Sequence, residues 1–292
     1  MKSCFARNYD FPFSTHFQDK SVDRPSIQIV LEPHIEIKGE RIHHAPDYPG
    51  GPCLDLFYDQ QHYFIHYDDY DVRLEKSAIY LSGPTHNSIR ITQVLERVIL
   101  PLHLYLCFPH LIPLHGGALL FNKHAYIFIG ASGAGKSTTL SELLDRGATL
   151  LSDDMVFINA NNGALLPSLP TLRLLEAREQ NVRHLARVGP KIQKWWHLLA
   201  QTQEEKEHPV KTLFILSPSE ELFRCEKVCG FEKFGALLSQ SFALQTHNEI
   251  REQKRFNGLS QIANTISVER LHFKKGNPKP IHIDLLCDYL RQ

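Results

Sequence analysis

The run Gly130-Ala-Ser-Gly-Ala-Gly-Lys-Ser137 constrains this chain more than any other stretch of its 292 residues. It satisfies G-x-x-x-x-G-K-[ST], a pattern that works only between a strand and a helix. Both flanks are present. Residues 125–129 (Ala-Tyr-Ile-Phe-Ile) form an apolar strand-like run, and residues 137–146 have helical composition, with Gly147 placed to end the helix. Glycines in such a loop let backbone N–H groups converge on an anion, and the helix start adds partial positive charge. The expected phosphate-binding residues are therefore Gly130, Ser132, Gly133, Ala134, Gly135, Lys136, Ser137 and Thr138. Lys136 supplies a mobile cation for β- and γ-phosphates, and the Ser137 hydroxyl is suited to Mg²⁺.

Seventeen residues beyond Lys136 stand two adjacent carboxylates, Asp153 and Asp154. If the helix is the crossover of a right-handed βαβ unit, the strand at 148–152 returns parallel to 125–129. Its tip then opens on the sheet edge that carries the loop, where ligands of open α/β folds sit. One carboxylate can hold Mg²⁺ and the other can accept the proton of an attacking hydroxyl. Adjacent strand residues point opposite ways, so only one is expected to face a γ-phosphate fully. Asn122-Lys-His-Ala125 lacks the aspartate of an N-K-x-D guanine signature, which disfavours a GTP switch.

Upstream, residues 1–50 have no sustained period and read as strands and loops. From Leu54, four short aromatic or β-branched runs (54–59, 62–67, 70–74 and 77–83) predict an antiparallel meander. A mostly apolar helix follows from Thr92, which Pro101 should kink or divide. These features place a small β-rich region at 1–90 and the main domain at 91–292. In the latter, strands are expected at 117–121, 125–129, 148–152, 155–159, 210–216 and 268–273. Helices are expected at 137–146, 176–188, 190–206, 231–242, 256–266 and over the last ten residues. Alternation of this kind indicates an α/β class.

Composition excludes little but points consistently. Hydrophobic residues make up 42% and charged residues 22%, enough for a sizeable core. Thirty-two basic residues balance thirty-two acidic ones, so nothing global suggests nucleic acid or a membrane surface as partner. The most apolar stretch, 98–109, contains a histidine and two prolines and is too short for ~30 Å of hydrocarbon. The start lacks an apolar leader core, and six scattered cysteines do not suggest a disulfide framework, so a cytoplasmic setting is expected.

Leu114-His-Gly-Gly-Ala-Leu-Leu, the run from Gly130 to Asp154, and Pro167-Ser-Leu-Pro-Thr-Leu-Arg173-Leu together resemble the HPr kinase/phosphorylase-like superfamily. The likeness is closest to short HPr-kinase-related kinases found with peptide-modification genes. It covers roughly residues 110–175 well and the remainder only in layout. It implies a P-loop kinase domain that uses ATP and Mg²⁺ for phosphoryl transfer to a serine-type hydroxyl of a peptide or protein. Carried over by position, it implies functional roles for His115, Lys136, Asp153 and Asp154. The assignment made from sequence is Asp153 as base, with Ser137 and Asp154 on the metal. The Glu-Ile-Arg-Gly-Leu-Gly-type signature of the bifunctional enzymes has no counterpart here, which puts phosphorolysis and HPr as substrate in question. A small alcohol such as free serine as acceptor, and a non-catalytic nucleotide-binding regulator, are the alternatives. Homo-oligomerisation stays open.

Other candidates carry less. His62 and His66 lie about 13 Å apart along a strand, too far to share an ion. Cys225-x₃-Cys229 lacks a second ligand pair. Asp68-Asp-Tyr-Asp71 lacks the glycine of a calcium loop. Trp195-Trp196 is read as core or partner surface within a helix, and Lys274-Lys275 as a charged loop.

Overall fold

The computed structural model describes residues 27–46, 52–84, 88–178, 180–188, 194–200, 206–242, 244, 249–274 and 280–291. The chain divides into two compact units at Phe108–Pro109, with Leu244 grouped with the first. The expectations for residues 1–26 and for Lys275 lie outside the described residues.

The first unit is a six-stranded sheet and a helical run. Its strands are β1 (Gln28–Leu31), β2 (Glu40–Pro46), β3 (Cys53–Tyr58), β4 (Tyr63–Tyr67), β5 (Tyr70–Glu75) and β6 (Ala78–Ser82). They lie in the order β1-β6-β5-β4-β3-β2, antiparallel except for the β1–β6 pair. Alternation does the sorting. Leu56, Ile65, Val72 and Leu81 stand opposite one another across four strands and are fully buried. The adjacent row on the other face is His44, Asp55, His66 and Asp71, which is polar.

The helical run comprises α1 (Ser88–Val94), a π-helical stretch (Leu95–Ile99) and α2 (Leu100–Cys107). Pro101 sits in the first turn of α2 and does not break the run. The N–H of Leu100 donates five residues back to Leu95, and this wider turn gives the proline ring room against the preceding carbonyls. The run belongs with the sheet because polar ties hold it there. His103 Nε2 lies 2.7 Å from the Glu75 carbonyl, and Arg90 pairs with Asp68. The division at residue 108, against 90 from sequence, reflects these ties.

The second unit is mixed α/β. Its elements are β7 (Leu111–Phe121), β8 (His124–Ile129), α3 (Lys136–Leu144), β9 (Thr149–Ser152), β10 (Met155–Asn159), β11 (Ala164–Leu166), β12 (Thr171–Leu174), β13 (Val182–Val188) and β14 (Lys194–Leu199). They continue with β15 (His208–Ser219), β16 (Phe223–Lys227), α4 (Gly230–Gln240), α5 (Glu249–Thr265), β17 (Ser267–Lys274) and α6 (Pro280–Arg291). Eight strands form the main sheet, ordered β11-β10-β7-β8-β15-β17-β16 with β9 beside β7. One apolar layer joins Ile127, Ile129 and Ile215 to Leu237 of α4 and Leu259 and Ile262 of α5. The opposite layer joins Phe128, Phe214 and Leu271 to Leu140 and Leu143 of α3 and Ile283 and Leu286 of α6. The strand alternation of β8, β15 and β17 feeds both layers, as in other sheets covered on two faces.

Two helix expectations are corrected here. The stretches 176–188 and 190–206, read as helices, contain strands β13 and β14, which join β12 in a separate three-stranded sheet. Local helix propensity yields to burial: Trp196 and Leu198 are buried and paired across to β12, and His197 Nδ1 lies against the Leu172 carbonyl. Strand β9 runs parallel to β8, as expected, without pairing with it directly. Strand β7 lies between them, antiparallel to both.

His103 is fully buried, and burial holds its pKa below the ordinary histidine value, with the Glu75 carbonyl opposing. The folded state therefore favours neutral imidazole, and stability present above the unfolded pKa is lost as pH falls below about 6.5. His103→Gln should flatten this dependence between pH 5 and 7 in urea melts. An unchanged slope would count against the buried neutral histidine.

Candidate active site

The loop between β8 and α3 owes its shape to glycine. Gly130 has φ 152°, a conformation that side chains rarely adopt, and a Cβ there would sit a tight 3.1 Å from the Leu216 carbonyl oxygen. Gly133 and Gly135 have φ 77° and 98°, and α3 starts immediately after, with its first amides facing away from any intrahelical acceptor. Helix α3 ends as the sequence indicates. Gly147 is left-handed (φ 91°), its N–H donates to Leu144, and that of Ala148 donates to Leu143. Ser132 and Thr138 are exposed, while Ala134 is buried in the core beneath.

Lys136 is buried, and its Nζ donates to the carbonyls of Gly130 (2.8 Å) and Ala131 (3.3 Å). Burial lowers its pKa, while the charges of Asp154 and Asp153 oppose that shift. Ser137 Oγ donates to Asp153 Oδ1 at 3.1 Å. Loop and acids, separated by a helix in sequence, are thus in direct contact.

The acids occupy a break in a strand. β9 and β10 continue one line along β7, since Ser152 stands opposite Ala118 and Met155 opposite His115. Asp153 and Asp154 fall between, opposite Gly117 and Gly116. The chain turns sharply there: Asp154 has φ 74°, and the Met155 N–H donates to the Asp153 carbonyl at 3.0 Å. A non-glycine residue in that region is strained, a cost that clusters at functional sites. The two glycines make room. A Cβ at Gly117 would lie 2.3 Å from Leu140 Cδ1 and 3.3 Å from Asp153 Oδ1, and one at Gly116 would lie 2.8 Å from the Phe128 oxygen. His115-Gly-Gly is therefore strand interior, within β7.

The carboxylates have different surroundings. Asp153 is buried, with Ser137 on one oxygen and the Arg173 backbone N–H on the other at 3.0 Å. Burial, then the charge of Asp154, push its pKa up to about 6, while the Arg173 and Ser137 contacts pull the other way. Asp154 is more exposed. It pairs with the Arg173 guanidinium, and His115 Nδ1 lies 2.9 Å from its carbonyl oxygen and 3.5 Å from Oδ1. Ser137 thus stands with Asp153, whereas the sequence assignment put it with Asp154 on a metal.

Arg173 is the residue that sequence reasoning undervalued. From β12 it touches both aspartates, Asp153 through its backbone N–H and Asp154 through its guanidinium. The signal was its place at the end of Pro167-Ser-Leu-Pro-Thr-Leu, but what it meets depends on the β12–β14 pairing.

Among the described residues no group of three or more His, Cys, Asp or Glu side chains is arranged to hold a metal ion. Cys225 is partly buried, with its thiol pushed up to about 12, and Cys229 is exposed. Asp68 turns the β4–β5 hairpin, and Trp195 lies under the Arg187 guanidinium. No helix among the described residues is long and apolar enough to cross a membrane.

Asp153→Asn should stabilise the protein at neutral pH. A carboxyl whose folded pKa is raised loses stability as pH climbs from about 4 to about 6, and the loss persists above that. The gap in unfolding free energy between variant and parent should widen over that range and then level, reaching on the order of 1–3 kcal/mol. A gap independent of pH would refute the buried charge. Arg173→Ala should move the Asp153 titration, followed by carboxyl-carbon NMR, above its parent midpoint. An unmoved midpoint would remove Arg173 from the electrostatics of the pair.

No protein-family model matches the chain. Two curated proteins named HPr kinase/phosphorylase, from Clostridium botulinum strains Eklund 17B and Alaska E43, are each 37% identical over 95 residues, 31% of this chain and 31% of theirs. A solved structure of Hpr(Ser) kinase/phosphatase from Coxiella burnetii matches 61% of this chain and 88% of that one, at 17% identity and a TM-score of 0.35, too slight a likeness to carry an argument. The chain spans less than a third of the length of the curated relatives it matches. The finding the comparisons support, in agreement with the motifs between Leu114 and Leu174, is a likeness of this chain to the HPr kinase/phosphorylase-like superfamily.

Proposed function

We propose that this chain is an ATP- and Mg²⁺-dependent kinase that phosphorylates a serine-type hydroxyl of a peptide or protein. The observation that carries the reading is the contact of Ser137, at the mouth of the glycine loop, with Asp153, beside a second carboxylate held by His115 and Arg173.

The residues fit the groups the reading requires. Loop glycines with positive φ and the open start of α3 suit a polyphosphate. Ser137 and Asp153 offer adjacent hard oxygen ligands and would hold Mg²⁺, which needs few protein ligands where phosphate oxygens and water are at hand. When bound, ATP supplies the transferable phosphoryl group and Mg²⁺ neutralises its charge. Lys136 exchanges its loop carbonyls for the anion. Asp154, the more exposed carboxylate, takes the proton of the acceptor hydroxyl while Arg173 and His115 hold it in place. The new P–O bond forms to the acceptor oxygen, the bond to the β-phosphate oxygen breaks, and ADP leaves with the electron pair. This exchanges the roles assigned from sequence, because Ser137 and Asp153 form the natural metal pair. Catalysis of this kind is mostly positioning and electrostatics.

Incubation with γ-labelled ATP, Mg²⁺ and serine-containing peptides or free serine tests the reading. Label on a peptide hydroxyl supports it, label on free serine favours the small-alcohol alternative, and saturable ATP binding without transfer points to a regulator. Lys136→Ala should lower transfer by at least about 100-fold, the scale of losing one charge-stabilising donor. Its melting temperature should stay within a few degrees of the parent, since the ammonium faces the loop. Full transfer in that variant contradicts the assignment.

A further inference from the structure

The parallel arrangement of β8, β15 and β17 brings their C-terminal ends to one sheet edge. The acidic pair lies on the β7 side of the loop. On the opposite side, at the end of β17, stands an aromatic pair that the kinase reading does not use. The nearest atom to a Cβ built on Gly135 is Phe273 Cζ, at 3.8 Å, and nothing lies within 4 Å of one built on Gly133. Phe273 is itself buried in the α3–α6 layer. On its ring lies the imidazole of His282, from the first turn of α6, with centroids 5.7 Å apart and planes at 17°. His282 is only half-buried, so it is the outer ring of the stack.

A nucleotide whose γ-phosphate faces Asp153 and Asp154 must extend its base the other way. Two strand spacings from β8 to β17 amount to roughly 9–10 Å, a span that a ribose and one phosphate bridge. We infer that His282, backed by Phe273, is a stacking platform for the nucleobase of a nucleoside triphosphate. The inference rests on the phosphate-loop reading of Gly130–Ser137. Stacking on an aromatic face tolerates any base, so the platform adds affinity more than it selects between purines.

The test is calorimetric titration of the full chain with MgATP and, separately, with inorganic tripolyphosphate and Mg²⁺. His282→Ala should weaken ATP roughly 5- to 100-fold while leaving tripolyphosphate within about 2-fold, the ordinary scatter of a surface substitution. His282→Phe should restore ATP. Equal weakening of both ligands, or ATP binding unchanged in His282→Ala, overturns the platform while leaving the loop as a phosphate site. Parent protein that binds neither ligand overturns the loop reading and the platform with it.

Discussion

Two carboxylates on neighbouring residues repel each other, and the second unit is arranged around holding them together. Asp153 is taken out of water and Asp154 is kept near it, with Arg173 and His115 in attendance. The chain gives up a strand hydrogen-bonding register and accepts a left-handed residue to do this. Gly116 and Gly117 are the counterpart of that break, since side chains there would collide with the β8 backbone or with Leu140. Removing the constraint would let β9 and β10 run on as one strand, and the site would vanish.

From that constraint the rest follows in order. Because β7 separates β9 from β8, the acids approach the loop from one strand away, close enough for Ser137 to bond Asp153. Because α3 packs Leu140 and Leu143 on the sheet face that carries Phe128 and Phe214, its first turn points at the same place. The three-stranded sheet then brings in Arg173, whose backbone and side chain serve different aspartates. The raised pKa of Asp153 and the lowered pKa of Lys136 have the same main origin, burial of charge, and the two aspartates partly offset the shift at Lys136.

Much of the layout was legible. The strand-loop-helix unit, the Gly147 stop and the β3–β6 meander follow from short-range signals, namely φ preferences, composition and alternation. The errors lie where long-range pairing overrides such signals. The segments around Trp196 carry charged and polar residues at helix-like spacing, yet Trp196 and Leu198 are buried by sheet pairing that no local pattern records. The role of the Gly116-Gly117 pair has no local mark, because these glycines answer to residues almost forty positions later.

The amino-acid order by itself determined the shape of the loop, because glycine accepts those dihedral angles most readily and the following helix supplies open amides. It also placed two acids within one crossover of that loop. The tertiary structure alone decided which acid meets Ser137, which meets Arg173, and what lies on the far side of the loop. Those outcomes depend on strand order and on the register of β7, β12 and β17, which are set by burial of whole faces rather than by any neighbouring residue.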